Sequence, residues 1–201
     1  MFSGQLAGLL DHIGEARAAV AGFSLGGMIA RRFALDHPGR LSALAILNSV
    51  HDRTAGQRQA VMDRVEQAAG AGPSATVEAA LERWFTPAWA AAHPEVMALV
   101  RGWVSANDPA VYPAIYRVLA EGDVELATAI REISCPTLVM TGGDDHGNSP
   151  EMAARIAALI PGARAIVLPG LRHMGLVEAA AQFNGPLLSF FLEATENPDE
   201  S

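Results

Sequence analysis

The sequence predicts an α/β fold built on a parallel sheet, and three observations lead to this prediction. Short apolar runs alternate with helical patterns in residues 1–50 and again in residues 134–195. Residues 51–133 contain no strand-like run, which indicates a helical cap inserted between two parts of one core. Polar or glycine-rich loops follow the strands, at the sheet edge where α/β proteins collect functional groups. We expect residues 196–201 to be a disordered tail.

The first part of the core is predicted to contain two helices and two strands. Residues 1–13 place apolar side chains at helical spacing. Residues 17–21 are poor in β-branched side chains, and we assign them as a strand because a glycine-flanked serine follows. A helix from about Leu25 ends before Pro38, since proline disfavours helical geometry in the preceding residue. Residues 41–47 are nearly all apolar, which is typical of a strand covered on both faces.

The predicted cap holds every tryptophan and tyrosine of the chain. Breaks at Pro73, Pro87, Pro94 and Pro109 divide it into short helices. The aromatic residues of this segment either line an apolar substrate cavity or form the cap's own small core. They include all three tryptophans and both tyrosines of the chain: Trp84, Trp89, Trp103, Tyr112 and Tyr116.

The second part of the core resumes the alternation of strands and helices. We predict strands at residues 137–140 and 165–168. Ser149 and Pro150 are suited to cap and begin a helix. The last helical region is expected to be interrupted near residues 184–186, where Asn, Gly and Pro follow one another.

Composition excludes several classes of function. The chain has 201 residues, half of them hydrophobic, so a single compact soluble domain is expected. Its net charge of -8 argues against nucleic acid as a partner, and no apolar run is long enough to span a membrane. The single cysteine, Cys135, fits a reducing compartment and a packing role. We therefore expect a cytoplasmic protein, and the absence of metal-ligand spacings predicts that it binds no metal.

The segment Gly22–Gly27, with the sequence Gly-Phe-Ser-Leu-Gly-Gly, carries the strongest functional signal. A serine between glycines at a strand-to-helix turn can present its hydroxyl clear of the surface. Serine is a weak nucleophile and needs a base, usually a histidine oriented by a carboxylate. Asp145 and His173 follow later strands and complete a Ser, Asp, His order along the chain.

These motifs resemble those of the α/β-hydrolase superfamily, in particular the group of 3-oxoadipate enol-lactonases and small-ester hydrolases. The resemblance implies that Ser24 is the nucleophile, His173 the general base and Asp145 the orienting acid. It favours Asp145 over Asp144 because the family spacing is Gly-x-x-Asp, counted from Gly142. It also implies an oxyanion donor at the Leu25 N–H, no cofactor, and a small ester or lactone as the substrate.

The chain also departs from the family pattern. Family members place several strands before the nucleophile strand, and one of the loops among them supplies a second oxyanion donor. We find about four strands, so we expect an N-terminally truncated, partial α/β-hydrolase fold with impaired activity, in which the nucleophile strand is an edge open to self-association. Two alternatives stay open: a catalytically inactive fragment or small-molecule-binding protein, and a C–C bond hydrolase or cofactor-free haloperoxidase with the same triad.

Overall fold

The computed structural model describes residues 1–196, which form a four-stranded sheet with helices on both faces. The strands are β1 (Ala18–Phe23), β2 (Leu41–Leu47), β3 (Thr137–Gly142) and β4 (Arg164–Leu168). They lie side by side in chain order, and each neighbouring pair is parallel. Their carboxyl ends therefore meet at one edge of the sheet. The predicted α/β class with a parallel sheet is confirmed.

Helices precede, connect and follow these strands. The α-helices of the described residues are α1 (Phe2–Ile13), α2 (Leu25–Asp36), α3 (Ala55–Ala71), α4 (Val77–Trp84), α5 (Pro87–Ala92), α6 (Pro94–Ser105), α7 (Tyr112–Glu121), α8 (Asp123–Ala129), α9 (Pro150–Leu159), α10 (Gly175–Glu178) and α11 (Ala180–Glu196). Helices α3 to α8, with short 3₁₀ turns, form an insertion between β2 and β3. This is where the sequence predicts a segment without strands. The division into units at residues 50 and 133 stays a prediction.

The core lies on both faces of β2 and β3. Leu44 and Ile46 are fully buried and pack in a cluster with α1, α2 and α9. The alternate residues Ala43 and Ala45 are also fully buried, and they face a second cluster that includes Phe183 and Phe190 of α11. Successive strand residues point to opposite faces, so an apolar run such as β2 can bury both. This packing fixes the position of the loops that follow β2 and β3 at the carboxyl edge of the sheet.

Two helix starts agree with their local sequence. Thr54 begins α3 with a capping box, in which its side chain accepts from the Gln57 amide and the Gln57 side chain accepts from the Thr54 amide. Ser149 caps α9 by accepting from the Met152 amide, and Pro150 occupies the first helical position. The predicted start of α9 is confirmed.

The last helical region differs from the prediction. The interruption falls at Ala179, between α10 and α11, and α11 continues through Pro186. Proline removes one hydrogen bond from a helix, but Phe183 and Phe190 lie on either side of it and are buried against the sheet, which stabilises the helix. Helix α11 also includes Glu196, which the sequence assigned to a disordered tail, and the rest of that tail lies outside the described residues.

Strands β1 and β4 are the edges of the sheet as the described residues form it. On β1, Ala19 and Ala21 are exposed. Self-association through this edge stays a prediction. Among residues 1–196, no helix combines the length and the apolar character needed to cross a membrane.

Candidate active site

Ser24 lies at a strained turn between β1 and α2. Its backbone has φ 54° and ψ -116°, a conformation that residues other than glycine rarely adopt. Two hydrogen bonds join the turn to β2 and the loop after it: the Ser24 amide donates to the Leu47 carbonyl over 2.8 Å, and the Ser49 hydroxyl donates to the Ser24 carbonyl over 2.8 Å. Strain of this kind persists only where surrounding contacts maintain it, and it is frequent at functional sites.

Glycines allow the strand and the helix to approach closely at this turn. A Cβ atom on Gly22 would lie 2.3 Å from the Gly26 carbonyl oxygen. One on Gly27 would lie 2.6 Å from the Ser49 Cβ. A Cβ atom on Gly26 would meet nothing within 4 Å. The close packing of the turn therefore requires glycine at positions 22 and 27.

The structure brings together the three side chains singled out by the sequence. His173 Nε2 lies 3.1 Å from Ser24 Oγ, and His173 Nδ1 lies 2.7 Å from Asp145 Oδ2. His173 and Asp145 are buried, with 6% and 2% of their surfaces exposed. The neighbouring Asp144 is exposed. Of the two adjacent aspartates, Asp145 is thus the one that contacts the histidine.

Asp145 is surrounded by hydrogen-bond donors. Its Oδ2 accepts from Asn48 Nδ2 over 3.0 Å, and its Oδ1 accepts from the backbone amides of Gly147 and Asn148 over 3.1 and 3.0 Å. Burial acts to raise the pKa of Asp145, but the hydrogen bond and charge of His173, with the bonds from Asn48 and Asn148, lower it overall. Asp145 is therefore held as a carboxylate next to the imidazole.

Sequence reasoning missed Asn48. This residue is fully buried, has φ 45°, and follows β2 directly. Because β2 lies between β1 and β3, its carboxyl end is placed between Ser24 and Asp145. The sequence signal that could have identified Asn48 is a polar residue immediately after an apolar strand. Asn148 was also missed, and its Nδ2 lies 3.0 Å from His173 Nδ1.

Leu25 is the first residue of α2. The first amides of a helix have no acceptor within the helix and carry a partial positive charge. The Leu25 amide, next along the chain from Ser24, is therefore available as a hydrogen-bond donor beside the serine.

A cavity of about 720 Å³ borders the serine and the histidine. The sequence left open whether the aromatic residues of the insertion line a cavity or form a core, and the structure shows both. Trp84, Tyr112 and Tyr116 line the cavity, and the Trp84 ring centroid lies 6.2 Å from that of His173. Trp89 instead stacks on Phe85 within the insertion. Trp103 does neither, since 63% of its surface is exposed.

Hydrogen bonds tie the histidine loop to the insertion. The Met174 amide donates to the Trp84 carbonyl over 2.8 Å. Arg172 Nη1 donates to the Glu82 carbonyl over 2.6 Å and to the Phe85 carbonyl over 3.0 Å. The position of His173 therefore depends on the end of α4 as well as on the sheet.

Two other histidines, His146 and His51, differ in their surroundings. His146 is exposed and lines the cavity. His51 is buried, with 1% of its surface exposed, and burial together with the charge of Arg31 lowers its pKa to about 4. Within the described part of the chain, no three His, Cys, Asp or Glu side chains are grouped so that they could hold a metal ion.

Residues 1–180 of the chain match the family described as having the alpha/beta hydrolase fold. The chain belongs to this family. Among its relatives is the (E)-2-((N-methylformamido)methylene)succinate hydrolase of Acinetobacter baylyi, which is 32% identical over 180 residues that cover 88% of this chain and 65% of the relative. The 3-oxoadipate enol-lactonase 2 of the same organism is 28% identical over 68% of this chain and 50% of its own length.

Solved structures of α/β hydrolases agree with this assignment. The crystal structure of the enol-lactonase from Burkholderia xenovorans superimposes with a TM-score of 0.83 at 26% identity, over 94% of this chain and 71% of that chain. The predicted resemblance to the superfamily and its enol-lactonase group is confirmed. The chain spans 65% and 50% of the lengths of the two Acinetobacter relatives.

Proposed function

We propose that this chain is a serine hydrolase that cleaves small carboxylic esters or lactones through an acyl-enzyme intermediate. One observation carries the proposal: Ser24, His173 and Asp145 form a continuous series of contacts of 3.1 and 2.7 Å at the wall of a cavity. A nucleophile next to a base that is itself held by a buried carboxylate is the arrangement that acyl transfer requires.

In the first half of the reaction, Ser24 Oγ attacks the carbonyl carbon of the substrate and His173 Nε2 takes the hydroxyl proton. The carbonyl oxygen becomes an oxyanion, towards which the Leu25 amide donates. Collapse of this tetrahedral intermediate breaks the ester bond, and His173 returns the proton to the departing alkoxide. Asp145 stabilises the transient imidazolium, since its lowered pKa keeps it ionised at neutral pH.

In the second half, water replaces the alcohol. His173 takes a proton from the water molecule as its oxygen attacks the acyl carbon. The second tetrahedral intermediate then collapses, the bond from the acyl carbon to Ser24 Oγ breaks, and His173 returns the proton to Ser24 Oγ as the acid is released. For a lactone, the alcohol and the acid leave as one ring-opened product.

Two further observations support small esters or lactones as the substrates. The cavity, about 720 Å³, falls in the range of small-molecule sites and has apolar as well as polar lining residues. Two of the relatives described above are enol-lactonases.

A fluorophosphonate probe tests the nucleophile directly. We expect rapid labelling of the wild-type chain and none of Ser24→Ala, because the probe reacts only with an activated serine. Ser189→Ala, at an exposed position of α11, is the matched control and should label like the wild type. A folded wild-type chain that stays unlabelled, or a Ser24→Ala variant that still labels, would contradict the proposal.

A further inference from the structure

The cavity lining is richer in positive charge than an acidic chain would suggest. The net charge of the chain is -8, and all 14 of its Lys and Arg positions are arginine. The arginines that line the cavity are Arg53, Arg64, Arg83 and Arg172. Two lining side chains, Glu82 and Asp145, carry carboxylates, and Asp145 is already paired with His173. A cleft lined mainly by one sign of charge attracts ligands of the opposite sign.

Two of these arginines already have partners within the protein. Arg172 donates to two backbone carbonyls, as described above. Arg53 donates to the Leu119 carbonyl over 2.7 Å and lies 3.6 Å from the buried carboxylate of Asp123. These contacts explain Arg53 and Arg172 as residues that stabilise the fold.

Arg64 and Arg83 differ from that pair. Arg64 Nε donates to the Tyr116 hydroxyl over 3.0 Å, but no acceptor in the described part of the chain takes a hydrogen bond from its Nη1 or Nη2. Arg83 makes no side-chain hydrogen bond within residues 1–196, and neither arginine has a carboxylate oxygen within 4.0 Å there. Each guanidinium group has five N–H donors, so most donors of Arg64 and all those of Arg83 are available to a ligand.

The two arginines also affect each other. Burial, and secondly the positive charge of Arg64, lower the pKa of Arg83. Two like charges that share one cavity repel each other where no carboxylate oxygen of the described residues lies within 4.0 Å of either, and an anion bound between them would relieve the repulsion. Arginine suits this task because its planar fork matches a carboxylate with two parallel hydrogen bonds.

We infer that Arg64 and Arg83 bind a free carboxylate of the substrate, so that the enzyme selects esters or lactones whose acyl part carries a second, ionised carboxyl group. This inference rests on the proposed function. Arg64 lies on α3 and Arg83 on α4, in the insertion, whereas Ser24 belongs to the sheet side of the cavity. The free carboxylate therefore occupies the insertion wall while the scissile carbonyl reaches the serine.

The apolar part of the lining fits the rest of such a substrate. Val61, Ile115 and Leu119 are apolar and belong to α3 and α7. They can contact a short methylene chain that joins the two carbonyl carbons. An uncharged ester of the same length fills this space equally well but leaves both guanidinium groups without an anion, and a site built for polar contacts discriminates strongly against such an analogue.

The test compares half-esters of dicarboxylic acids with neutral esters of equal acyl length. Mono-4-nitrophenyl succinate, glutarate and adipate are paired with 4-nitrophenyl butanoate, pentanoate and hexanoate, and kcat/KM is measured for each after subtraction of the uncatalysed rate. At the best length we expect the charged ester to be favoured by at least ~10-fold, the range of charge-assisted hydrogen bonds. This ratio should fall as salt is added, because salt screens the arginines.

Substitutions of Arg64 and Arg83 test whether these residues cause the preference for the charged ester. Arg64→Met and Arg83→Met each remove one guanidinium with little change in length, and each should lower the charged-to-neutral ratio by ~10-fold. Arg64→Lys should retain part of the preference, because lysine keeps the positive charge but lacks the planar guanidinium that binds a carboxylate through two hydrogen bonds. Arg117→Met is the matched control: Arg117 is exposed on α7, pairs with Glu121, and should leave the ratio unchanged.

The outcomes separate the inference from the proposed function. If neutral esters are cleaved but the ratio is near one, or if the Met variants leave a high ratio intact, the inference is wrong and the proposed function stands. If no ester is cleaved and Ser24 does not label, the proposed function fails. Calorimetric titration with glutarate then decides whether the cavity binds a carboxylate: binding that is lost in Arg64→Met and Arg83→Met supports the site, and no binding overturns it.

Discussion

Replacing Gly27 by alanine tests how the serine turn is packed against the loop after β2. The new Cβ would lie 2.6 Å from the Ser49 Cβ, 2.7 Å from the Ser49 Oγ and 3.0 Å from the Gly22 carbonyl oxygen. Real Cβ atoms do not approach other atoms so closely, so the Ser49 loop must move. Ser49 would then lose its hydrogen bond to the Ser24 carbonyl.

The expected loss of stability follows from three contributions. Overpacking costs about 1–3 kcal/mol. Loss of a hydrogen bond adds about 1 kcal/mol. The better helix propensity of alanine offsets up to about 1 kcal/mol of this. We therefore expect Gly27→Ala to lower the free energy of unfolding by about 1–3 kcal/mol.

Urea unfolding followed by circular dichroism measures this change, with Gly26→Ala as the control. A Cβ at Gly26 meets nothing within 4 Å, so this neighbouring substitution should leave stability unchanged or slightly increased. Adding Ser49→Gly to Gly27→Ala removes the side chain that clashes and should restore part of the loss. Equal effects of the two alanine substitutions, or no recovery in the double variant, would refute this account of the turn.

Two further predictions concern the buried ionisable groups. In the unfolded chain His51 binds a proton as the pH falls below about 6.5, whereas in the folded chain it stays neutral to about 4, so we expect about 1–3 kcal/mol of stability to be lost across this range. His51→Leu should lack this part of the pH dependence in urea unfolding, and an unchanged pH slope would contradict the assignment. Under the proposed mechanism, Asp145→Asn lowers kcat by roughly 10³–10⁴, because an amide cannot stabilise the imidazolium. Ester hydrolysis measures this loss, the exposed Asp144→Asn should stay close to the wild type, and similar losses in both variants would argue against Asp145 as the acid.

The positions of the strands along the chain, and the loops after them, could be predicted because each depends on a short stretch of sequence. The apolar run of residues 41–47 allows few structures other than a buried strand, and the loop holding Asp145 follows a run of the same kind. The weak strand before Ser24 was assigned through the glycines, and the structure extends it to Phe23. Parallel pairing then brings the carboxyl ends together, which is why three residues far apart in the chain could be placed in one site.

The cavity could not be predicted because it depends on how the helices of the insertion pack. Arg64 and Arg83 are separated by 18 intervening residues, and nothing in their spacing indicates that they face one cavity. Asn48 was missed for a related reason, since its contact with Asp145 joins residues 97 positions apart. The error at Pro186 has a different origin: local propensity predicted a break, and burial of Phe183 and Phe190 outweighed it.

The hydrogen bond from the Met174 amide to the Trp84 carbonyl joins backbone to backbone, so substitution of the Trp84 side chain leaves its acceptor in place. Helix α4 can therefore exchange the side chains that face the cavity while the register of the histidine loop is preserved. A shift of the helix itself would carry His173 away from Ser24. Under the proposed function, a new substrate preference can evolve through replacement of individual residues on α4, whereas insertions or deletions that displace its last turn would disturb the histidine loop.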